Sequence, residues 1–149
     1  MIIVPLLELD FPLLKHGVES APLTTDPGID LVAFPSVRAF PDKRGEPVTI
    51  QVKTSTHRSE TSDPMCKWLL WEIQNDCPAY YIAAVDFERE KFWLISTKEF
   101  IKEATRAAEG RSRLWWYIPG HEGGETEKRE EKFVAYEMDV VIPNIFCLE

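Results

Sequence analysis

Hydrophobic and polar residues alternate along two short segments in the first third of the chain. Residues 29–34, IDLVAF, and residues 48–54, VTIQVKT, are rich in β-branched and aromatic residues and are bounded by Pro and Gly. Between them lies FPDKRGEP, whose composition is typical of a turn. These patterns predict two strands paired as an antiparallel hairpin.

A different spacing follows in the segment SDPMCKWLLWEIQNDCP. Met65, Leu69 and Ile73 repeat every four positions, and Asp63 followed by Pro64 is typical of a helix start. Because an interval of four residues brings side chains to one face of a helix, we expect a helix after the hairpin.

The second half of the chain alternates between strand and helix patterns. AYYIAAVD and KFWLIS predict two strands around the polar turn FERE, and KFVAYEMDVVI predicts a late strand. Ser96 and Glu99 form a capping box that opens a helix ending at Gly110, and residues 6–16 predict a short N-terminal helix.

These elements together predict an α/β fold with a central mixed β-sheet flanked by helices, because a sheet must cover its apolar faces. At 149 residues the chain is long enough for a substantial core, and 44% hydrophobic with 28% charged residues is ordinary for a folded protein. We expect a single domain over residues 1–149, with residues 111–149 as a C-terminal extension of its core.

Net charge and cysteine content narrow the function classes. With 17 basic and 25 acidic residues the formal charge is −8, which opposes nucleic-acid binding unless basic groups are concentrated locally or metal ions intervene. The three cysteines lack CxxC spacing, so neither a disulfide framework nor a zinc knuckle is indicated. We expect a cytoplasmic protein without a signal peptide, a membrane span or a membrane partner.

The second predicted strand carries two polar residues on one face. Gln51 and Lys53 point to one side while Ile50 and Val52 point to the other, and Asp30 begins the preceding strand. A suitable register brings Asp30 beside this pair. Carboxylate and carbonyl oxygens hold hard cations such as Mg²⁺, and a lysine can orient a water, so the group suits phosphodiester hydrolysis.

At this point the sequence resembles a known family. GIDLVAF, a turn-rich gap and then VTIQVKTS resemble the core of the PD-(D/E)xK superfamily, the restriction-endonuclease-like nucleases that include archaeal Holliday-junction resolvases. There an Asp at a strand start and an (E/Q)xK on the next strand form a metal site. The resemblance covers about Leu6 to Phe100 and implies the same roles for Asp30, Gln51 and Lys53.

The sequence departs from the family pattern at the acidic position of the ExK element. Gln51 stands there, and its amide still coordinates through oxygen but removes one negative charge. An additional carboxylate, Glu8 or Glu19, can restore that charge, and we favour Glu8. The resemblance also implies the backbone carbonyl of Val52 as a ligand, with Mg²⁺ or Mn²⁺ as the cofactor.

The resemblance therefore implies a divalent-metal-dependent endonuclease acting on nucleic acid, with DNA favoured. Two alternatives stay open. One is a catalytically weakened relative that binds nucleic acid or a partner without cutting, which Gln51 and the acidic charge favour. The other is an unrelated α/β interaction protein, in which Lys53 lies at a sheet edge far from Asp30.

Other candidate contacts lie outside the metal motif. His57 and Arg58 follow the strand, and Lys43 and Arg44 lie in the turn before it, so these four residues are candidates for phosphate contact, although each also fits a solvated loop. In RLWWYIPG, the adjacent aromatics of residues 115–117 cannot all be buried on one face. We expect a dimer contact there, with nucleic-acid stacking as the alternative.

Overall fold

The structure, a computed structural model, consists mainly of strands. It describes residues 12–22, 28–35, 47–106 and 109–146. In these ranges the strands are, in chain order, β1 Val18–Pro22, β2 Leu31–Pro35, β3 Val48–Ser55, β4 Arg58–Glu60, β5 Asp63–Gln74, β6 Tyr81–Asp86, β7 Lys91–Ser96, β8 Thr105–Arg106 and β9 Arg111–Tyr117. Two helices are described over their whole length, α1 Thr97–Glu103 and α2 Met138–Ile145, and 3₁₀ turns occupy Thr126–Lys128 and Glu130–Tyr136.

The strands form two sheets. The first is five-stranded in the order β1-β2-β3-β6-β7, and it is mixed because β3 and β6 run parallel while the other neighbours are antiparallel. The second is four-stranded and antiparallel, in the order β4-β5-β9-β8. The predicted hairpin is confirmed, with Leu31 opposite Ile50. The predicted α/β class with a central mixed sheet flanked by helices is also confirmed.

Each face of the five-stranded sheet covers a separate core. On one face Ile50 and Val52 of β3 pack with Met138 and Ile142 of α2. The core on the other face joins the two sheets and contains, among other residues, Ile82, Ala84, Trp93, Leu69, Trp71, Leu114 and Trp116. Because side chains alternate along a strand, Gln51 and Lys53 lie on the face of β3 that is directed towards the second sheet.

Three tryptophans form the centre of the core between the sheets. Trp71, Trp93 and Trp116 are fully buried, and their ring centroids lie 4.6 to 5.6 Å apart at steep angles. Steeply inclined aromatic pairs place a ring edge against a ring face, which is favourable beyond the apolar area they bury. Phe133 stacks on Trp116 at 4.3 Å, so residues beyond β9 complete this core.

The helix predicted over residues 63–78 is wrong, because most of this segment is the long strand β5. Leu69, Trp71 and Ile73 are buried at alternate positions, and β5 pairs with β9 over its whole second half. An apolar spacing of four is a multiple of two, so it fits a strand as well as a helix. The tryptophans of this segment also favour a strand.

The other local predictions have mixed outcomes. The Ser96 side chain accepts a hydrogen bond from the backbone N–H of Glu99 at 3.1 Å, so the predicted cap of α1 is confirmed, but α1 ends at Glu103 rather than at Gly110. The predicted late strand is wrong, since Met138 and Ile142 are buried at the helical spacing of α2. Residues 12–15 form a helical turn within the predicted N-terminal helix.

None of the helices in the described ranges is long and apolar enough to cross a membrane.

Candidate active site at the start of the hairpin

Asp30 is fixed to β3 by two hydrogen bonds. Its backbone N–H donates to the carbonyl of Ile50 at 2.9 Å, and its carboxylate Oδ2 accepts from the backbone N–H of Val52 at 2.7 Å. These two bonds lie on either side of Gln51 along β3, so Asp30 is beside Gln51. The structure therefore brings the predicted aspartate to the predicted glutamine.

Gln51 and Lys53 open into one cavity. The cavity has a volume of about 280 Å³ and is lined by Gly28, Gln51, Lys53, Gln74, Asp76, Cys77 and Pro78. Lys53 is partly buried and forms no hydrogen bond or ion pair with any described residue. An ammonium in such a place is available to a ligand, because burying it unpaired is unfavourable.

The backbone turn that leads into β2 requires a glycine at position 28. This residue has φ +82°, a left-handed conformation that L side chains rarely adopt. A Cβ at this position would lie 2.8 Å from Cδ of Pro78, which is closer than real Cβ atoms approach. Glycine thus allows the turn before Asp30 to pack against the segment that closes the cavity.

The segment after β5 contributes side chains that the sequence analysis did not identify. The Cys77 thiol donates to Oε1 of Gln51 at 3.1 Å, and Asp76 lines the same cavity as Lys53. The turn composition of NDCP was visible in the sequence. Its place beside Gln51 was not, because it depends on β5 being a strand.

The donor atoms near Gln51 suit a hard cation. The carboxylate of Asp30, the amide of Gln51 and the carbonyl of Val52 provide oxygen donors, which Mg²⁺ and Mn²⁺ prefer, and Asp76 is a further acidic residue that lines the cavity. The carbonyl of Val52 is directed to the side of β3 where Asp30 lies, because the N–H and C=O of an extended residue point the same way. In the described ranges no three His, Cys, Asp or Glu side chains converge as a protein-only metal cage. Mg²⁺ usually keeps several waters and needs only one or two carboxylates, so the residues present fit it.

The two candidates for an extra carboxylate have different positions. Glu8 lies outside the described residues. Glu19 is on β1 and pairs with Phe34 of β2. Because Phe34 is four residues after Asp30, Glu19 is displaced from Asp30 by about 13 Å along the strands. The structure does not bring Glu19 to Asp30, whereas Asp76 shares the cavity of Gln51 and Lys53.

His57 is held by carboxylates rather than free to meet a phosphate. Its Nε2 lies 3.0 Å from Oδ1 of Asp86, and its Nδ1 lies 3.1 Å from Oε2 of Glu88. Arg58 is exposed on the edge strand β4. The remaining candidates for phosphate contact, Lys43 and Arg44, lie outside the described residues.

Asp86 also belongs to a buried charge network at the ends of β6 and β7. Arg89 donates through Nε to Asp86 and through its terminal nitrogens to Glu130, which Lys91 also contacts at 3.2 Å. Burial alone lowers the pKa of Arg89, but the hydrogen bonds to Glu130 and Asp86 outweigh burial and raise it. The network fastens the 3₁₀ turn that begins at Glu130 to the five-stranded sheet.

Comparison with known proteins finds a similar fold among solved structures but no related sequence. No family model and no curated protein matches the sequence significantly. Among solved structures the chain is similar to the bacterial homing endonuclease I-Ssp6803I, with a TM-score of 0.60 and 16% sequence identity. The match covers 97% of this chain and 88% of that one. The protein therefore has the fold of that endonuclease over almost its whole length.

Proposed function

We propose that the protein is a divalent-metal-dependent nuclease that hydrolyses phosphodiester bonds, with DNA as its substrate. One observation carries the proposal. Asp30 is hydrogen-bonded to β3 on both sides of Gln51, and Gln51 lines a cavity together with a lysine that has no described partner. The similarity of the fold to a homing endonuclease supports the same reaction class.

Each residue of the proposed site has a distinct role. Asp30 and Gln51 would hold the cation through side-chain oxygens, and the carbonyl of Val52 would add a backbone ligand. Bound Mg²⁺ would offset negative charge on the phosphate and make a bound water more acidic. Lys53 orients the attacking water and stabilises the charge that develops on the phosphate oxygens.

Asp76 enters the proposal as the carboxylate that offsets the missing charge of Gln51. It lines the same cavity, and its exposed position leaves it accessible to a metal with its waters. With Asp30 it would provide the one or two carboxylates that Mg²⁺ requires.

The direct test is cleavage of labelled branched, duplex and single-stranded DNA, and of single-stranded RNA, in Mg²⁺ or Mn²⁺. We expect metal-dependent cleavage of a DNA substrate that Asp30→Ala and Lys53→Ala each reduce by at least about 100-fold. Lys98→Ala, which removes an exposed lysine of α1, is the matched control and should cut normally. Full activity of Lys53→Ala would contradict the mechanism.

A second candidate, a weakened relative that binds nucleic acid or a partner without cutting, is favoured by one contact. Oε1 of Gln51, the atom that would hold the metal, already accepts the Cys77 thiol. In this reading the wild type binds no divalent metal at millimolar concentration, whereas an active site would. The remaining alternative, an unrelated α/β interaction protein, required Lys53 to be far from Asp30. It is disfavoured because Asp30 binds the backbone of Val52, the residue next to Lys53.

A further inference from the structure

The outer face of the second sheet carries an aromatic groove that the nuclease proposal does not use. We define the aromatic groove by its lining residues, which are Glu60, Asp63, Cys66, Trp68, Leu70, Trp115 and Tyr117, and its volume is about 350 Å³. Trp68 faces Tyr117 across the β5–β9 ladder, and Leu70 faces Trp115. Because Leu69, Trp71 and Trp116 point inwards, these neighbours necessarily point outwards.

The groove combines aromatic rings with unpaired carboxylates. Glu60 and Asp63 form no ion pair with any described residue. Trp68 is only partly buried and makes no ring contact with any described aromatic side chain. Ring faces are negative, and carboxylates add negative charge beside them, so the groove is complementary to a cation.

A cation already occupies one ring of this face. Nζ of Lys128 lies 5.0 Å from the ring centroid of Trp115, within the range of a cation–π contact. The thiol in the groove responds to the same negative field. Burial raises the pKa of Cys66, and the carboxylates of Asp63 and Glu60 raise it further.

The surroundings of the groove indicate how the cation is presented. The groove opens beside β4, an exposed strand of three residues at the sheet edge, where an extended segment of another protein can lie. The carboxylates repel the negatively charged backbone of a nucleic acid. A net charge of −8 on each chain likewise disfavours a second copy as the occupant, because the two copies repel each other. Arg58 stands opposite Trp68 on β4 but does not line the groove.

We propose that the aromatic groove binds a lysine or arginine side chain presented by a partner protein. The recognition would stack the cation on Trp68 and pair it with Glu60 and Asp63, leaving Lys128 in place on Trp115. The binding is separate from the proposed nuclease site, because Gln51 and Lys53 line a different cavity.

The test is titration of the full-length protein with a capped peptide that carries one central arginine among glycines. Nuclear magnetic resonance follows the indole N–H signals of the five tryptophans. We expect a saturable shift of Trp68 and Trp115 and little change at the buried Trp93. A peptide with norleucine in place of arginine is the matched control and should produce no such shift.

Neutralising the groove should weaken the binding without removing the rings. We expect the double variant Glu60→Gln with Asp63→Asn to bind the arginine peptide about fivefold more weakly. Each of the following would overturn the proposal: an equal response to the norleucine peptide, no saturable response to arginine, or unchanged affinity in the double variant. Groove signals that shift instead with oligonucleotide, or with protein concentration alone, would assign the groove to nucleic acid or to a second copy.

Discussion

The carboxylate of Asp30 and the backbone N–H of Val52 are joined by a 2.7 Å hydrogen bond that runs from the entrance of β2 to the middle of β3. This bond aims a carboxylate at the strand position whose neighbours, Gln51 and Lys53, face a cavity. An ordinary hairpin needs no such bond, because backbone groups alone complete its ladder. The contact therefore links the fold of the hairpin to the chemistry that we propose for it.

Gln51→Glu should tighten divalent-metal binding, since it restores a carboxylate at the proposed ligand. Calorimetry with Mn²⁺ measures the change, and we expect about tenfold higher affinity. Gln74→Glu is the matched control, because it adds the same charge to the same cavity from β5. Equal gains in both variants would mean that Gln51 contributes only general charge, and no gain in Gln51→Glu would show that it is not a ligand.

Gly28→Ala should disturb the site through the backbone. The substitution combines a strained φ of +82° with a clash at 2.8 Å on Pro78, and we expect a loss of about 1–3 kcal/mol in the free energy of unfolding. Metal affinity should fall as well, because Asp30 follows two residues later. Urea unfolding and calorimetry measure the two effects.

Gly110→Ala is the control for that substitution. Gly110 also has a positive φ, +76°, but a Cβ there would meet nothing within 4 Å. It should therefore share the backbone strain while leaving metal affinity unchanged. An equal loss of metal affinity in both variants would contradict the claim that the close approach of Gly28 to Pro78 positions the metal site.

The sequence predicts an element of this structure correctly where the pattern that determines it lies within a few neighbouring residues. The hairpin and its polar pair were predictable because alternation, turn residues and the start of a strand are all read within a few positions. The same reasoning failed at β5, where a spacing of four fits both structures, and at α2, where Val140 and Val141 favour a strand locally. Burial of β5 against the five-stranded sheet decides the first case, and burial of Met138 and Ile142 decides the second.

The neighbours of Gln51 could not be predicted for a related reason. Cys77 is separated from Gln51 by 26 positions. Their contact requires the chain to leave the first sheet after β3, pass through β4 and β5 of the second sheet, and return to the first sheet at β6. No pattern near Gln51 encodes that path. The cavity was therefore visible only once the second sheet was in place.

Arg89→Ala should destabilise the fold strongly. It removes the cation between Asp86, which is fully buried, and Glu130, which is 7% exposed, so two carboxylates lose their main partner. Leaving buried charge uncompensated costs about 3–5 kcal/mol. Arg113→Ala breaks an exposed pair with Glu72 and should cost less than about 1 kcal/mol, so similar losses in chemical denaturation would contradict the assigned role of the network.

The pair of Glu72 with Arg113 and Arg111 should appear in the pH dependence of stability. The hydrogen bond from Arg113 lowers the pKa of Glu72, and Arg111 adds to the effect. As the pH falls, the unfolded chain takes up this proton first, at about pH 4.3. The stabilisation is therefore complete above that pH and is lost as the pH falls through the folded-state pKa.

Glu72→Gln isolates this contribution. Compared with the wild type, the variant should unfold more easily at pH 7, by less than about 1 kcal/mol because the arginines are half exposed. The difference should shrink at pH 3, as measured by thermal unfolding in matched buffers. A gap that widens on acidification would contradict the lowered pKa.

Metal binding by Asp30 is the central claim, and calorimetric titration of Mg²⁺ and Mn²⁺ into the wild type and Asp30→Asn tests it most directly. The variant keeps the size of the side chain and an oxygen for the Val52 N–H, so the hairpin should remain folded. We predict one binding event in the wild type that is weakened at least about tenfold in Asp30→Asn. Equal binding by both proteins, or no binding by the wild type at millimolar metal, would contradict the proposed site.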